Sequence, residues 1–260
     1  MPMVDRLKDK IAIITGAGQG IGEATARAFS AEGAAVIIAE FNETTGAAVA
    51  DSLVADGHRA HFIKTDVSKP DQCRAMVDEA LKKFGHIDVL VNNAGINVFH
   101  DPLAMPDDEW KRCFAVDLEG VWHCTRAVLP GMRANKKGAV VNIASVHSFA
   151  IIPNTFPYPV AKHGLLGLTR SLGIQYAADG IRVNAISPGY IETPIAIDYW
   201  NMFDDPAAER QRTYDMHPPK RIGTPEEVAM TAVFLASDEA PFINATAIVI
   251  DGGKSVMYHD

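Results

Sequence analysis

Residues 10–22, KIAIITGAGQGIG, are the stretch that decides the fold of this 260-residue chain. The apolar run at its start predicts a short buried strand, and the glycines that follow predict a tight turn. A helical pattern then runs to Gly33, and AAVIIAE forms a second strand that ends at Glu40. The stretch therefore begins a βαβ unit, in which a glycine turn lets the backbone approach a pyrophosphate and a helix N-terminus offers it N–H groups.

Glu40 indicates which dinucleotide this turn binds, because it ends the second strand about 20 residues after the glycines. A carboxylate at this point accepts the ribose hydroxyls of NAD, but beside the extra phosphate of NADP it would cost on the order of 4 kcal/mol at an effective dielectric of about 20. The neighbouring Phe41 is not basic, and Gln19 within the turn is neutral. The sequence therefore predicts NAD as the cofactor.

The alternation of strands and helices continues along the rest of the chain without a linker or an internal repeat. It predicts an α/β fold with a doubly wound parallel sheet flanked by helices, in a single Rossmann-type domain over residues 1–260. Asp66 and Asn93 fall at the carboxyl ends of two predicted strands, where such sheets place ligands. Residues 190–219 depart from the alternation because they are rich in aromatics, prolines and acids, and they are predicted to form an irregular, mobile substrate lid.

The composition narrows the class of protein further. A formal net charge of −8 favours neither a nucleic-acid surface nor one that binds anionic membranes, and the three cysteines, with no CxxC pair, are interpreted as reduced packing residues. The charged start lacks the apolar core of a signal peptide, and no apolar run approaches the roughly 20 residues of a membrane span. No metal is predicted, because no HExxH motif occurs and His58 and His61 would point to opposite faces of a strand. We therefore expect a soluble, cytoplasmic protein that acts on a small molecule.

Tyr158 and Lys162 predict the chemistry. They lie four residues apart in the stretch YPVAK, so they share one face if this segment is helical. Ser145 ends the apolar run GAVVNIAS, which predicts a buried strand. A tyrosine ionises near ~10 when unperturbed, and an adjacent ammonium favours the phenolate, so we expect a lowered pKa for Tyr158. The three groups then form a general acid/base site, although a Tyr–Lys pair at this spacing carries little weight alone.

A buried carboxylate is also expected near this chemistry. Residues 107–132 are predicted as one long helix, on which a stripe at spacings of four and three comprises Trp110, Phe114, Asp117, Val121, Cys124 and Val128. Asp117 interrupts an otherwise apolar row, and an unpaired buried charge is costly. We therefore expect Asp117 to be paired, protonated or directed into a polar cavity.

Taken together and in this order, TGAGQGIG, NNAG, Ser145 with YPVAK, IRVNAISPG and the terminal DGG resemble the short-chain dehydrogenase/reductase family across essentially the whole chain. The resemblance implies a seven-stranded parallel Rossmann sheet and a homotetramer. It also implies hydride transfer between a nicotinamide ring and a secondary alcohol or ketone.

The resemblance implies roles for individual residues as well. Tyr158 would be the acid/base, Lys162 would lower its pKa and bind the nicotinamide ribose, and Ser145 would orient the reacting oxygen. The glycines and Ile21 would serve the pyrophosphate, while Ile191 and Thr193 would hold the carboxamide. The implied cofactor-binding set comprises Gly16, Gln19, Gly20, Ile21, Gly22, Glu40, Phe41, Asp66, Val67, Asn93, Gly95, Tyr158, Lys162, Ile191 and Thr193.

One position departs from the family pattern. Asp117 stands where the family commonly has an Asn that completes a water-mediated proton relay to the lysine. We expect the relay to survive with Asp117 as a fourth catalytic residue and with a shifted pH optimum.

The substrate is the least determined part of the prediction. Asn97, His147 and Asn154 indicate a hydroxyl-rich substrate, such as a sugar, a polyol or a keto-deoxy sugar acid, and NAD favours its oxidation. For an acid, a basic partner could come from Arg210, Arg212 or Lys220 (hypothesis). Two alternatives stay open: an NADPH-linked ketone or acyl-carrier reductase, which Glu40 opposes, and a non-catalytic NAD-binding regulator, which the complete Ser–Tyr–Lys set opposes.

Overall fold

The structure, a computed structural model, describes residues 5–258; residues 1–4 and 259–260 lie outside the described part. Its strands are β1 (Ile11–Thr15), β2 (Ala35–Glu40), β3 (Ala60–Lys64), β4 (Val89–Asn92), β5 (Phe99–His100), β6 (Gly138–Ile143), β7 (Phe156–Pro157), β8 (Ile181–Pro188) and β9 (Ala247–Ile250). Its α-helices are α1 (Gly20–Ala31), α2 (Glu43–Ala55), α3 (Pro70–Phe84), α4 (Asp107–Phe114), α5 (Gly120–Ala134), α6 (Tyr158–Tyr176), α7 (Pro194–Trp200), α8 (Pro206–Asp215) and α9 (Pro225–Ala236).

Within residues 5–258, seven parallel strands form one sheet in the order β3-β2-β1-β4-β6-β8-β9. Central strands such as β1 are buried along their whole length, as parallel strands covered on both faces usually are. Because successive side chains of a strand point to opposite faces, Ile14 packs with Phe29 and Val233 from α1 and α9, whereas Ile13 packs with Met76 from α3. The predicted Rossmann sheet flanked by helices is confirmed.

The order of the strands places a crevice at the carboxyl edge of the sheet. β1 pairs with β2 on one side and with β4 on the other, so the chain leaves β1 and β4 in opposite directions across the sheet. Ligands of doubly wound sheets bind where the strand order reverses in this way. The fold therefore directs the loops after β1 and β4 toward a single site.

The long helix predicted over residues 107–132 is interrupted. A π-helical turn, Ala115–Glu119, separates α4 from α5 and carries Asp117 at its centre. Such turns are rare and occur mostly at functional sites. The predicted stripe continues through the interruption, and Asp117 is fully buried.

The prediction of an irregular segment over residues 190–219 is wrong, because α7 and α8 lie within it. Both helices begin with a proline at the first turn, a position where its missing N–H and fixed φ are favourable. The sequence predicts that these prolines lie in irregular structure, whereas in the structure they mark the starts of helices. The mobility of the segment stays a prediction.

Two further features complete the described fold. A two-stranded ribbon of β5 and β7, which the sequence did not indicate, pairs Phe99 with Pro157 directly before Tyr158. No helix among the described residues is both long enough and apolar enough to cross a membrane.

Candidate active site

A cavity of about 650 Å³ opens at the carboxyl edge of the sheet, within the range of small-molecule and cofactor sites. Sixteen of the twenty sequence-predicted site residues line it, from the glycine turn at one end to Ser145, Tyr158 and Lys162 at the other. Four do not line it: Gly22, Ile191, His147 and Asn154. All four predicted catalytic residues and most of the predicted cofactor residues therefore share one cavity.

The glycine turn is clamped by Asn93 from the end of β4. The Asn93 amide donates to the carbonyls of Thr15 and Gly16 at 3.0 and 2.9 Å. Gly16 and Gly20 have φ of +63° and +57°, in the left-handed region that side chains disfavour. A Cβ on Gly22 would lie 2.1 Å from the Gly16 carbonyl, so Gly22 serves the packing behind the turn.

Glu40 ties the end of β2 to the same turn. Its carboxylate accepts the backbone N–H of Gly18 at 3.0 Å and that of Asn42 at 2.9 Å. A Cβ on Gly18 would come within 2.9 Å of the Glu40 side chain, so this close approach requires glycine. The carboxylate is thus fixed at the cavity wall, with Phe41 beside it.

Asp66 and Val67, two members of the predicted cofactor-binding set, also lie on the wall. The Asp66 carboxylate accepts both the N–H and the hydroxyl of Ser68, at 2.9 and 2.7 Å, which fixes its orientation. Val67 is buried, and the close approach of Gly120 supports it from behind. The two residues place a polar and an apolar side chain next to each other on the wall.

Tyr158 is the first residue of α6, and Lys162 follows one turn later on the same face, as predicted. The Lys162 Nζ lies 5.3 Å from the centre of the Tyr158 ring and donates to the Ile143 carbonyl at 3.3 Å. Ser145 lies two residues after the end of β6, and its hydroxyl accepts the His147 N–H at 3.1 Å. The strand end and the helix start thus bring the hydroxyl, phenol and ammonium together.

The expected lowering of the Tyr158 pKa is not found. Burial raises the pKa of Tyr158, the Lys162 ammonium lowers it, and the Asp117 carboxylate raises it again, so that it lies above its ordinary value. Lys162 does favour the phenolate, as the sequence indicated, and the Ser145 hydroxyl adds to this effect. The sequence interpretation left out the desolvation of a buried phenolate, which favours the neutral phenol.

Asp117 is paired with Lys162 inside the protein. Its Oδ1 lies 3.3 Å from the Lys162 Nζ and accepts the Ile96 N–H at 3.2 Å. Burial raises the pKa of Asp117, although Lys162 opposes the shift. Burial lowers the pKa of Lys162, but the charges of Tyr158 and Asp117 outweigh it and raise that pKa overall.

Two aromatic rings flank the Tyr158 side chain. The Tyr158 ring is flanked edge-on by Phe99 and His147, at 5.8 and 5.7 Å between ring centres, and Ile195 lies on the cavity wall. Burial, followed by the charge of His163, lowers the pKa of His147, so its imidazole is neutral at pH 7. Of the three predicted substrate residues, Asn97 lines the cavity, His147 supports Tyr158, and Asn154 is exposed on a neighbouring loop.

The cations proposed for an acidic substrate have partners in the protein. Arg210 binds Glu192, Arg212 binds Glu209, and Lys220 donates to the Asp215 carbonyl at 2.9 Å. None of the three lines the cavity. The geometry therefore offers no support for the carboxylate-binding hypothesis at these positions.

Sequence reasoning missed several residues of the site. Cys113 lies one helical turn before Asp117, and its thiol approaches the Asp117 carboxylate at 3.8 Å between Sγ and Oδ2. Burial and then Asp117 raise the pKa of Cys113 to about 12, so it stays a thiol. The spacing of four from Asp117 was a usable signal for Cys113, whereas Phe99 and Ile195 reach the site through tertiary contacts that no local pattern shows.

Comparisons with known proteins find relatives over nearly the whole chain. A family model described as "Enoyl-(Acyl carrier protein) reductase" matches residues 16–255. The chain is 41% identical to cis-4-hydroxycyclohexanecarboxylate dehydrogenase of Sinomonas cyclohexanicum, covering 98% of this chain and 100% of the relative.

Two solved structures are similar over nearly the whole chain. Levodione reductase has a TM-score of 0.93 at 36% identity, covering 97% of this chain and 100% of that one. The ligand-free aldohexose dehydrogenase of Thermoplasma acidophilum has a TM-score of 0.90 at 35% identity, covering 99% and 98%. The names of these relatives share one chemistry, the interconversion of alcohols and carbonyl compounds.

Proposed function

The chain belongs to the short-chain dehydrogenase/reductase family, and from this premise we propose that it oxidises a ring-bearing secondary alcohol to the ketone with NAD. It is an oxidoreductase that acts on alcohols or ketones with a nicotinamide cofactor. The observation that carries the proposal is the convergence of Ser145, Tyr158 and Lys162 at one end of a cavity whose other end is a glycine turn.

The residues present fit a dinucleotide along the cavity. Glycines at positions 16 and 20 open the turn at the start of α1, where backbone N–H groups can bind a pyrophosphate. Glu40 would hold the adenosine ribose, and Lys162 would hold the second ribose. When bound, the nicotinamide ring accepts the hydride that leaves the carbinol carbon.

The chain's own residues handle the proton. Ser145 holds the substrate oxygen by a hydrogen bond, and the Tyr158 phenolate takes the hydroxyl proton as the carbonyl forms. Lys162 stabilises that phenolate through its ammonium charge. Because burial raises the pKa of Tyr158, we expect oxidation to become faster as the pH rises toward alkaline values.

The choice of NAD over NADP rests on charge. The cations among the cavity-lining residues are Arg112 and Lys162, and Arg112 forms an ion pair with Glu109 at 2.8 Å. Both cations thus have acidic partners, because Lys162 pairs with Asp117. An added 2′-phosphate would therefore meet the negative charge of Glu40. This argument opposes the NADPH-linked ketone or acyl-carrier reductase, even though the matching family model bears a reductase description.

The substrate class is supported by two apolar side chains, Phe99 beside the Tyr158 ring and Ile195 on the cavity wall. Phe99 and Ile195 suit the carbon skeleton of a ring, and two relatives, the cis-4-hydroxycyclohexanecarboxylate dehydrogenase and a cyclohexanol dehydrogenase of Acinetobacter, carry cyclohexane-type substrates in their names. A sugar or polyol, as the sequence predicted, is a second candidate. It is supported by Asn97 on the wall and by the similarity to an aldohexose dehydrogenase.

The proposal extends to a cytoplasmic homotetramer. Cytoplasmic location is supported by three buried free cysteines, as expected in a reducing compartment. Assembly is supported by large apolar side chains that are exposed on the single chain, which include Phe242, Val256 and Ile174. Light scattering should then give four times the chain mass of 28.1 kDa.

The decisive experiment mixes the purified protein with NAD or NADP and a panel of cyclic alcohols, sugars, polyols and hydroxy acids. We expect NADH to appear with the cyclic alcohols and little reaction with NADP. Tyr158→Phe should lower kcat by about a hundredfold or more while NAD binding persists. NAD binding without turnover of any compound would favour the regulator, and faster turnover with NADP would favour the reductase.

A further inference from the structure

The Asp117 carboxylate is an unusual group to find at the centre of this site. It is fully buried, and its Oδ1 faces the ammonium of Lys162 at 3.3 Å, a residue that is itself 4% exposed. Buried ion pairs contribute little net stability, because the cost of removing two charges from water offsets their attraction. Packing alone therefore gives no reason for this pair.

The surrounding backbone is shaped to admit the carboxylate. Asp117 sits in the π-helical turn between α4 and α5, which directs its side chain toward α6. A Cβ on Gly95 would lie 2.7 Å from the Asp117 Oδ1, so glycine is required there. The Ile96 N–H and the Cys113 thiol provide the other two contacts to the carboxylate.

We infer that Asp117 is a positioning residue whose negative charge neutralises Lys162 inside the site and thereby sets the pH range in which the alcohol is oxidised. The inference rests on the proposed function, because it concerns the proton acceptor of that reaction. It also changes the expected role of this position, from a link in a water-mediated relay to the direct counter-ion of the lysine.

The titratable groups that face the pair come from three elements. Tyr158 lies beside Lys162 on α6, Cys113 approaches Asp117 from α4, and His147 stands edge-on to Tyr158 in the turn after β6. Cys113 stays a thiol and His147 a neutral imidazole at pH 7. The charges that act on the Tyr158 phenol at this pH are therefore those of Lys162 and Asp117.

These two charges act in opposite directions on the phenol. The Lys162 ammonium lowers the pKa of Tyr158, and the Asp117 carboxylate raises it. Replacing the carboxylate by a neutral amide of the same shape would leave the ammonium unopposed. The phenolate would then form at lower pH, and the rising limb of the oxidation profile would move with it.

Asp117→Asn tests the inference, since it removes the charge and keeps an oxygen for the Ile96 N–H. The midpoint of the rising limb of kcat/KM against pH should move down by about one pH unit. A second readout needs no substrate: the absorbance of tyrosinate is measured against pH. The signal of Tyr158 is obtained by subtracting the curve of a protein that carries Tyr158→Phe from that of the same protein without it. This is done once for the parent and once for the Asp117→Asn variant. The same downward shift is expected there.

Each outcome has one meaning. An unchanged tyrosinate midpoint overturns the inference, whatever the kinetics show. A shifted tyrosinate midpoint in a protein that oxidises no alcohol of the panel supports the charge pairing and rejects the proposed function. Should Asp117→Asn fail to fold, infrared spectroscopy of the parent decides, because a protonated carboxylic acid band at pH 7 would show that Asp117 does not act as a counter-ion.

Discussion

Glu40 supports the proposed preference for NAD through its negative charge and through two hydrogen bonds that fix its carboxylate. Its carboxylate is held by the N–H groups of Gly18 and Asn42, so it cannot swing away from a ligand in the cavity without losing both. Two like charges about 4 Å apart repel by about 4 kcal/mol at an effective dielectric of about 20, and solvent at this partly exposed position reduces the repulsion.

Glu40→Gln should therefore relax the preference for NAD. We expect the ratio of kcat/KM with NAD to that with NADP to fall by between about tenfold and a thousandfold, the upper value corresponding to the unscreened repulsion. The matched control is Glu43→Gln, which removes a carboxylate in the next helix that pairs with Lys64 and lies outside the cavity. A ratio unchanged by Glu40→Gln would mean that another group selects the cofactor.

At the residue scale, the sequence predicted positions better than it predicted energies. The pairing of Tyr158 with Lys162 follows from a spacing of four, and the burial of Asp117 from its place in an apolar stripe. The direction of the Tyr158 pKa did not follow, because it depends on how completely the surrounding elements exclude water. Desolvation is a property of the assembled site, and no local pattern reports it.

At the element scale, α7 and α8 lie within residues 190–219, the segment that the sequence predicts as a substrate lid. Arg210 on α8 stacks on Trp200 of α7 at 5.4 Å, donates to the Tyr214 hydroxyl at 2.6 Å and binds Glu192. Glu192 directly precedes Thr193, which lines the cavity. Arg210 thus links both helices to the cavity edge.

Arg210→Ala should loosen this link without touching the reacting groups. A surface ion pair and a cation–π contact are each worth up to about 1 kcal/mol, so we expect a rise of roughly fivefold in the KM for NAD and for the alcohol. Steady-state kinetics on folded protein measure the effect. Arg212→Ala is the control, because Arg212 pairs with Glu209 inside α8 and not with Glu192. Equal effects of the two variants on KM would show that the contacts of Arg210 do not support the cavity edge.

The elements that the sequence missed have a common cause. Prolines and acids near residues 194 and 206 were interpreted as loop formers, yet proline at the first turn and Asp205 as a cap are helix-start signals. The β5–β7 ribbon is only two residues long on each side, too short for any alternation to show. Long buried strands such as β1 and β8 were found because their apolar runs need no tertiary information.

At the scale of the whole molecule, the acids whose pKa is shifted by the fold divide into two groups with opposite responses to pH. Partners lower the pKa of several carboxyls: Arg6 acts on Glu32, Lys136 and Arg133 on Asp179, and Lys10 on Asp238. The buried Asp117 differs, because burial raises its pKa. Sequence composition gives the number of acids, but these pairings depend on long-range contacts.

These pairs of carboxyls and cations predict how low pH destabilises the fold. A carboxyl whose pKa is lowered by folding stabilises the native state above its unfolded value, near 4, and this contribution is lost as the pH falls through the folded value. Asp117 acts in the opposite sense, since its raised pKa makes protonation easier in the folded state, but it is a single group. We therefore expect the melting temperature to fall by about 5 °C or more between pH 5 and pH 3, and a flat profile would contradict this balance.

Glu227 allows the prediction to be tested with one side chain. The Arg221 guanidinium, together with the Thr224 N–H in the capping box of α9, lowers the pKa of Glu227 to about 2. Glu227→Gln should lower the melting temperature at pH 7, and circular dichroism should show its difference from the parent shrinking as the pH falls from about 4.5 toward 2, because the parent carboxyl is then protonated as well. Glu226→Gln, one residue earlier in the same helix turn, controls for the loss of a surface acid. A difference that stayed constant over this range would mean that Glu227 stabilises α9 through its hydrogen bonds alone and not through its charge.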